Sequence, residues 1–273
     1  MVLGAEDWKI GFIGGGNMAG AIIGGVTSCG KISPHRIFVY DRHSEKLDSL
    51  KQKYGVNSAE SDVDVAKICD IIFLAVKPQN FTDLLRSLKH TVTEKKVFVS
   101  IAAGISSEFI AKSLSCRCPV VRAMPNTPLL LGKGATAVSK TENVPRDVFV
   151  FIRSLFECCG TVSVIDESQM DAIVSVGGSS PAYVYLFVKS VIDSAVGQGI
   201  DSGTAFDIIC QTICGSVEML KKSGRTPEEL IKMVSTKGGT TAAAVDVFKK
   251  EHFEDIIDDA MKACTARTKE LGL

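Results

Sequence analysis

Apolar and polar positions change their rhythm near residue 166. Before it, short runs of β-branched and aromatic residues alternate with stretches of helical period. Strands are predicted at residues 9–13, 36–40, 71–76, 97–101 and 120–124, with a weaker pair at 134–139 and 161–165. Helical patterns fall between them, as at 17–27 and 44–54. Such alternation predicts a parallel sheet covered on both faces. Beyond residue 166 the strand signal stops, and 182–196, 202–222, 227–234, 242–249 and 253–270 all read as helices. Thr226-Pro227-Glu228-Glu229 marks a helix start, with Thr226 as N-cap, Pro227 in the first position and Glu229 reaching back. The expectation is an α/β domain over residues 1–165, followed by an all-helical domain over 166–273.

Composition narrows the classes. A chain of 273 residues with 45% hydrophobic content has ample core for two modest domains. The 31 basic and 31 acidic residues cancel, and no basic stripe stands out, so no nucleic-acid partner is expected. Residues 1–8 carry Glu6 and Asp7 and lack the basic start and apolar stretch of a secretion signal. The most apolar run, 182–196, is shorter than a bilayer span. It reads as a buried helix, with Lys189 and Asp193 spaced as an ion pair. A cytoplasmic protein with no membrane partner is therefore expected. Of nine cysteines, only Cys116/Cys118 and Cys158/Cys159 are close, and neither pair has zinc-ligand spacing. No metal site is expected, and the thiols are read as reduced.

The first strand runs into Gly14-Gly15-Gly16-Asn17-Met18-Ala19. Strand, tight turn and helix with small residues at Gly14, Gly16 and Ala19 fit the dinucleotide fingerprint. Gly14 makes the turn, Gly16 lets the backbone reach a pyrophosphate, and the helix opening at Asn17 aims its amides at the phosphates. The second strand ends in Asp41-Arg42, where the adenosine ribose is read. Asp41 favours the free hydroxyls of NAD; Arg42, with His43 and Lys46 nearby, suits the 2′-phosphate of NADP. The next strand ends, Ala75-Val76-Lys77-Pro78 and Ala102-Ala103, also belong at the cofactor, because ligands of open α/β sheets lie beyond the strands' carboxyl ends. These features make the first domain Rossmann-like and dinucleotide-binding.

The second domain carries Met233-Val234-Ser235-Thr236-Lys237-Gly238-Gly239-Thr240-Thr241 between two helical patterns. Adjacent glycines allow a ligand close to the backbone, and the opening amides of the next helix have no internal partners. The loop is suited to a small carboxylate or phosphate. Thr240 and Thr241 also suit a plain N-cap. Glu167, at the domain junction, reads equally as a pocket residue or as a cap on the helix that follows. The four histidines lie outside these motifs.

Together these stretches, with Val121-Arg122-Ala123-Met124-Pro125-Asn126-Thr127-Pro128, resemble the pyrroline-5-carboxylate reductase family over nearly the whole chain. The resemblance implies an enzyme that reduces a small imine carboxylate, 1-pyrroline-5-carboxylate, to L-proline with NADPH or NADH, the last step of proline biosynthesis. It implies a helical domain that binds substrate and joins two subunits, and dimers that assemble further. It places cofactor contacts on Gly14, Gly15, Gly16, Asn17, Met18, Asp41, Arg42, Ala75, Val76, Lys77, Pro78, Ala102 and Ala103. Substrate contacts fall on Glu167, Thr236, Gly239, Thr240 and Thr241, with Thr241 hydrogen-bonding the ring nitrogen. The chain departs from the family at Gly177-Gly178-Ser179-Ser180-Pro181-Ala182-Tyr183, where Ser-Gly-Ser-Gly-Pro-Ala-Tyr is usual, and at Ser235-Thr236, which reverses the common order. A related imine reductase, a β-hydroxyacid dehydrogenase and a non-catalytic dinucleotide sensor are the rival readings. The dehydrogenase needs a lysine that residues 177–183 do not supply.

Overall fold

The structure, a computed structural model, describes residues 8–272. The stretch read for a leader lies outside these residues, apart from Trp8. The first part runs β1 (Ile10–Ile13), α1 (Asn17–Ser28), β2 (Ile37–Tyr40), α2 (Ser44–Tyr54), β3 (Asn57–Ser58), α3 (Asp62–Ile68), β4 (Ile71–Leu74), α4 (Phe81–Leu88), β5 (Val97–Ser100), α5 (Ser107–Leu114), β6 (Val120–Met124), β7 (Gly134–Lys140), α6 (Arg146–Glu157) and β8 (Gly160–Val164). The second is helical: α7 (Ser180–Gly197), α8 (Ser202–Lys222), α9 (Pro227–Val234), α10 (Thr240–Lys250) and α11 (Phe253–Leu271).

The eight strands form one sheet in the order β3-β2-β1-β4-β5-β6-β7-β8. Its first six strands have the doubly wound dinucleotide order. Strand faces separate by alternation: Ile71 and Phe73 of β4 enter one core, with Phe12, Ile22 and Phe156, while Ile72 and Leu74 enter the other, with Leu85, Phe98 and Ile110. Burial on both faces is why the strands read as continuous apolar runs.

The sheet is not wholly parallel, as the alternation had suggested. β6 and β7 pair antiparallel, with Arg122 opposite Ser139. The connection over residues 125–133 holds only a 3₁₀ turn, Thr127–Leu131. It is too short for a crossover, so the chain doubles back.

Compactness divides the chain later than the change of rhythm does. One unit extends to Ser179 and includes Ala263 onward, and the other is Ser180–Lys262. Met170 and Val174 pack with Met124 and Ala137, which holds the start of the helical region to the sheet. The end of α11 belongs to the same unit. Gly104 there has φ 76°, and a Cβ on it would lie 2.5 Å from the Thr268 carbonyl oxygen.

Two expectations fail in the single chain. α7, read as a buried helix, has no buried residue, and Tyr185 is 63% exposed. Its apolar residues go most of the way round, and the chain alone cannot cover them. The expected Lys189–Asp193 pair does form, at 2.5 Å. The thiols are not all reduced: Cys29, just past α1, is disulfide-bonded to Cys158, just past α6. Their Cα atoms lie 6.1 Å apart, an ordinary span for a bridge. The 129 residues between them hid this pairing from local spacing. No helix among the described residues is long and apolar enough to cross a membrane.

Candidate active site

The glycine turn is dictated sterically. Gly14 has φ 106°, and a Cβ there would lie 2.6 Å from the Ala75 carbonyl oxygen. The Gly14 amide donates to the Tyr40 carbonyl at 2.8 Å, and the Ala75 amide to that of Ile13 at 2.8 Å. The ends of β1, β2 and β4 are thereby drawn together at the point where strand order reverses. Gly16 is the N-cap of α1 and offers no side chain to its amides; a Cβ on it would meet nothing within 4 Å. Room and unpaired amides at a helix start suit a pyrophosphate. Ala19, buried, lets α1 pack closely, as read from the pattern.

A cleft of about 520 Å³ opens beside this turn. Gly14, Gly16, Asp41, Arg42, Ala75, Val76 and Lys77 line it, as do His43 and Lys46. Gly15 and Asn17 line an adjoining depression. Met18 packs against the core, and Pro78 opens a 3₁₀ turn, Pro78–Asn80. Ala102 is buried and Ala103 packs against the cluster around Met124; neither lines the cleft.

Asp41 holds the turn. Its Oδ2 accepts from the Gly15 amide at 2.8 Å, and its Oδ1 accepts from the His43 amide at 3.0 Å and lies 2.9 Å from His43 Nδ1. Lys46 Nζ is 3.4 Å from Oδ2. Burial pushes the acid's pKa up, but the bonds from Gly15 and His43 and the charge of Lys46 outweigh it and hold the pKa below its ordinary value. His43 thus sits at the cleft although its residue type marked no motif.

Glu167 lies in the first unit. Its Oε1 accepts from the Ser107 amide at 2.8 Å and its Oε2 from the Ser107 hydroxyl at 2.5 Å. Arg122, 5% exposed, reaches Glu167 Oε1 at 3.4 Å and Asp171 Oδ1 at 3.1 Å. The carboxylate therefore ties α5 and β6 to the start of the helical region. It does not cap the turn it begins. Asp166 does that, in a capping box with Gln169. Sequence reading missed this cluster, although Arg122 stood in a quoted stretch and Glu167 and Asp171 have helical spacing. Asn126 is a second tie: its Oδ1 accepts from the Ala135 amide at 2.9 Å and its Nδ2 donates to the Gly177 carbonyl at 3.1 Å. Residues Val174–Gly178 form one π-helical turn, a conformation frequent at functional sites.

The remaining residues lie in the second unit. Thr226 and Glu229 form the expected capping box on α9. That helix ends at Val234, and Gly238 turns the chain with φ 77°. The N-cap of α10 is Gly239, so Thr240 and Thr241 are its first two residues and do not cap it. A Cβ on Gly239 would lie 2.8 Å from Thr236 Oγ1, which excludes any larger residue without movement. As at α1, the opening amides are left without a side-chain partner. On other helices side chains do this work, as Ser61 does on α3 and Asp201 on α8, though α2, α4 and α6 also lack a capping side chain. Thr236, Thr240 and Thr241 are exposed. Among the described residues, no three His, Cys, Asp or Glu come together to hold a metal.

Fold, glycine turn and cleft define a two-domain, dinucleotide-dependent oxidoreductase architecture. Residues 9–104 match a family described as NADP oxidoreductase coenzyme F420-dependent, and residues 167–271 match pyrroline-5-carboxylate reductase dimerisation. The pyrroline-5-carboxylate reductase of Escherichia coli K12 is 38% identical, covering 97% of this chain and 98% of that protein. Pyrroline-5-carboxylate reductase 3 of Danio rerio is 36% identical over 97% of this chain and 91% of its own length. The Plasmodium falciparum pyrroline carboxylate reductase, solved with NADP bound, superposes with a TM-score of 0.90 at 31% identity, covering 99% of this chain and 100% of that one. The chain belongs to the pyrroline-5-carboxylate reductase family.

Proposed function

We propose that this chain reduces 1-pyrroline-5-carboxylate to L-proline with NADPH, as a homodimer in the cytoplasm. One observation carries the reading: the match to the reductase's dimerisation model spans residues 167–271, which hold every residue assigned to the substrate, Glu167, Thr236, Gly239, Thr240 and Thr241. The cleft at the glycine turn fits a dinucleotide, since Gly16 leaves room and α1 leaves its amides free. When bound, the reduced nicotinamide supplies a hydride for the imine carbon.

The protein's own residues position the substrate. The uncapped amides at the start of α10 hold the carboxylate, with the Thr236 or Thr240 hydroxyl beside them. The Thr241 hydroxyl oxygen accepts from the N–H of the protonated ring nitrogen and orients it. A protonated imine already accepts hydride well, so reduction places two electrons and hydrogen on carbon and leaves the nitrogen as an amine. No strong general acid is needed, and orientation supplies several kcal/mol of barrier lowering. The apolar surface of α7 and α8, including Tyr185, Leu186 and Phe206, is the face for a second copy.

The test is reduced-cofactor oxidation with pyrroline-5-carboxylate. No consumption above a no-enzyme control, with cofactor binding intact, refutes the reading. Thr241→Ala is expected to lower kcat at least tenfold and leave the cofactor Kd unchanged; equal losses in both would refute the role given to Thr241.

A further inference from the structure

Asp41 stands at the end of β2, where a carboxylate ordinarily takes the adenosine ribose hydroxyls and repels a 2′-phosphate. Its contacts here leave it little to offer a ribose. Oδ2 accepts from Gly15 at 2.8 Å, and Oδ1 has the His43 amide at 3.0 Å and Nδ1 at 2.9 Å. Lys46 Nζ lies 3.4 Å from one oxygen and 3.5 Å from the other. A carboxylate has roughly four acceptor positions, and these donors occupy them. The side chain is 9% exposed.

The other carboxylates lining the cleft are engaged too. Asp62 accepts from the Val63 amide at 2.8 Å and the Ser87 hydroxyl at 2.6 Å, and Asp83 pairs with Arg86 at 3.1 Å. Arg42 and Lys77 line the same cleft, and neither has a carboxylate partner among the described residues. A guanidinium there can fork a phosphate monoester.

We infer that Asp41 is a positioning residue that fixes the glycine turn through Gly15 and does not read the ribose, so that the chain selects NADPH over NADH through Arg42. This rests on the reading of the cleft as the cofactor site. It reverses the role that the position of Asp41 along the chain suggests. Asparagine at 41 keeps one oxygen for the Gly15 amide, whereas alanine keeps none.

The experiment titrates the full-length protein and its variants with NADPH and NADH, following nicotinamide fluorescence without substrate. Unchanged Trp8 emission confirms folding. Wild type is expected to bind NADPH at least tenfold tighter than NADH. Asp41→Asn should leave the ratio of the two Kd values within about threefold. Asp41→Ala should weaken both cofactors by a similar factor, about tenfold, the scale of one lost charge-assisted bond. Arg42→Ala should weaken NADPH about tenfold or more and spare NADH. The inference is overturned if Asp41→Asn selectively weakens NADH, if Arg42→Ala weakens both cofactors alike, or if wild type prefers NADH. A wild type that binds neither cofactor overturns it together with the cleft assignment. Preserved NADPH selectivity without imine turnover supports it and refutes only the substrate reading.

Discussion

Replacing Glu167 by alanine separates two roles for one carboxylate. The structure gives it the Ser107 amide at 2.8 Å, the Ser107 hydroxyl at 2.5 Å and a longer contact to Arg122 at 3.4 Å. Hydrogen bonds to a charged group contribute about 1.5–3 kcal/mol each, so the two short ones set an upper range of about 3–6 kcal/mol. Glu167 is 32% exposed, and water replaces part of what is lost. Arg122 keeps Asp171 at 3.1 Å, which spares it from becoming an unpaired buried charge. A loss of about 2–3 kcal/mol is therefore expected. The chain's single tryptophan, Trp8, is 7% exposed and lies edge-on to Phe151, within the first unit's core. Its fluorescence reports unfolding of the unit that contains Glu167. In a urea titration the midpoint should fall with little change in slope. Stability within about 0.5 kcal/mol of wild type, alongside a raised KM for the imine, would refute the structural role and leave a substrate contact alone.

Gly14→Ala should abolish measurable NADPH binding, because its Cβ would lie 2.6 Å from a backbone oxygen at φ 106°; binding within tenfold of wild type in the same fluorescence titration would contradict the geometry. Reducing the Cys29–Cys158 bridge, which closes 129 residues of sequence, should lower stability by roughly 2–5 kcal/mol, and Cys29→Ser should reproduce that loss without further response to reductant. Asp41 is depressed in the folded state, so its contribution is complete above the unfolded carboxylate range near 3.8 and disappears as pH falls through the lower folded value. Asp41→Asn should therefore flatten the acid limb of stability below about pH 4, measured by Trp8 fluorescence. Tyr185→Asp, on the uncovered face of α7, should shift sedimentation toward monomer while leaving helix content unchanged.

Most of the fold was legible because local period reports burial. Continuous apolar runs marked strands buried on both faces, and β6, α2, α8 and α9 fall where the pattern placed them. What was illegible depended on long-range choices. Strand direction leaves no trace in alternation, so the antiparallel β6–β7 pair was missed, although the shortness of residues 125–133 was the signal for it. The later boundary at Ser179 follows from Met170 and Val174 packing on Met124, which no spacing within the helical region reveals. A largely apolar helix such as α7 announces that it will be covered, without saying by which chain.

The site divides along the same line. Gly14 was readable because its backbone turn admits nothing larger, and Gly239 because it sits tightly against Thr236. Threonines beside them were ambiguous, since a hydroxyl that caps a helix and one that faces a ligand look alike in sequence. The structure separates the two by one residue: Gly239 occupies the cap, which moves Thr240 and Thr241 into the first turn. A glycine cap is a weaker stabiliser of its helix than serine or aspartate, by only a few tenths of a kcal/mol, and it leaves the amides open. The same arrangement at Gly16 before α1 gives the two helices proposed to face ligands this property. Side chains cap α3, α5, α8 and α9, whereas α2, α4 and α6 lack a capping side chain as α1 and α10 do; what sets α1 and α10 apart is that the cap is glycine, which leaves the backbone open to close approach.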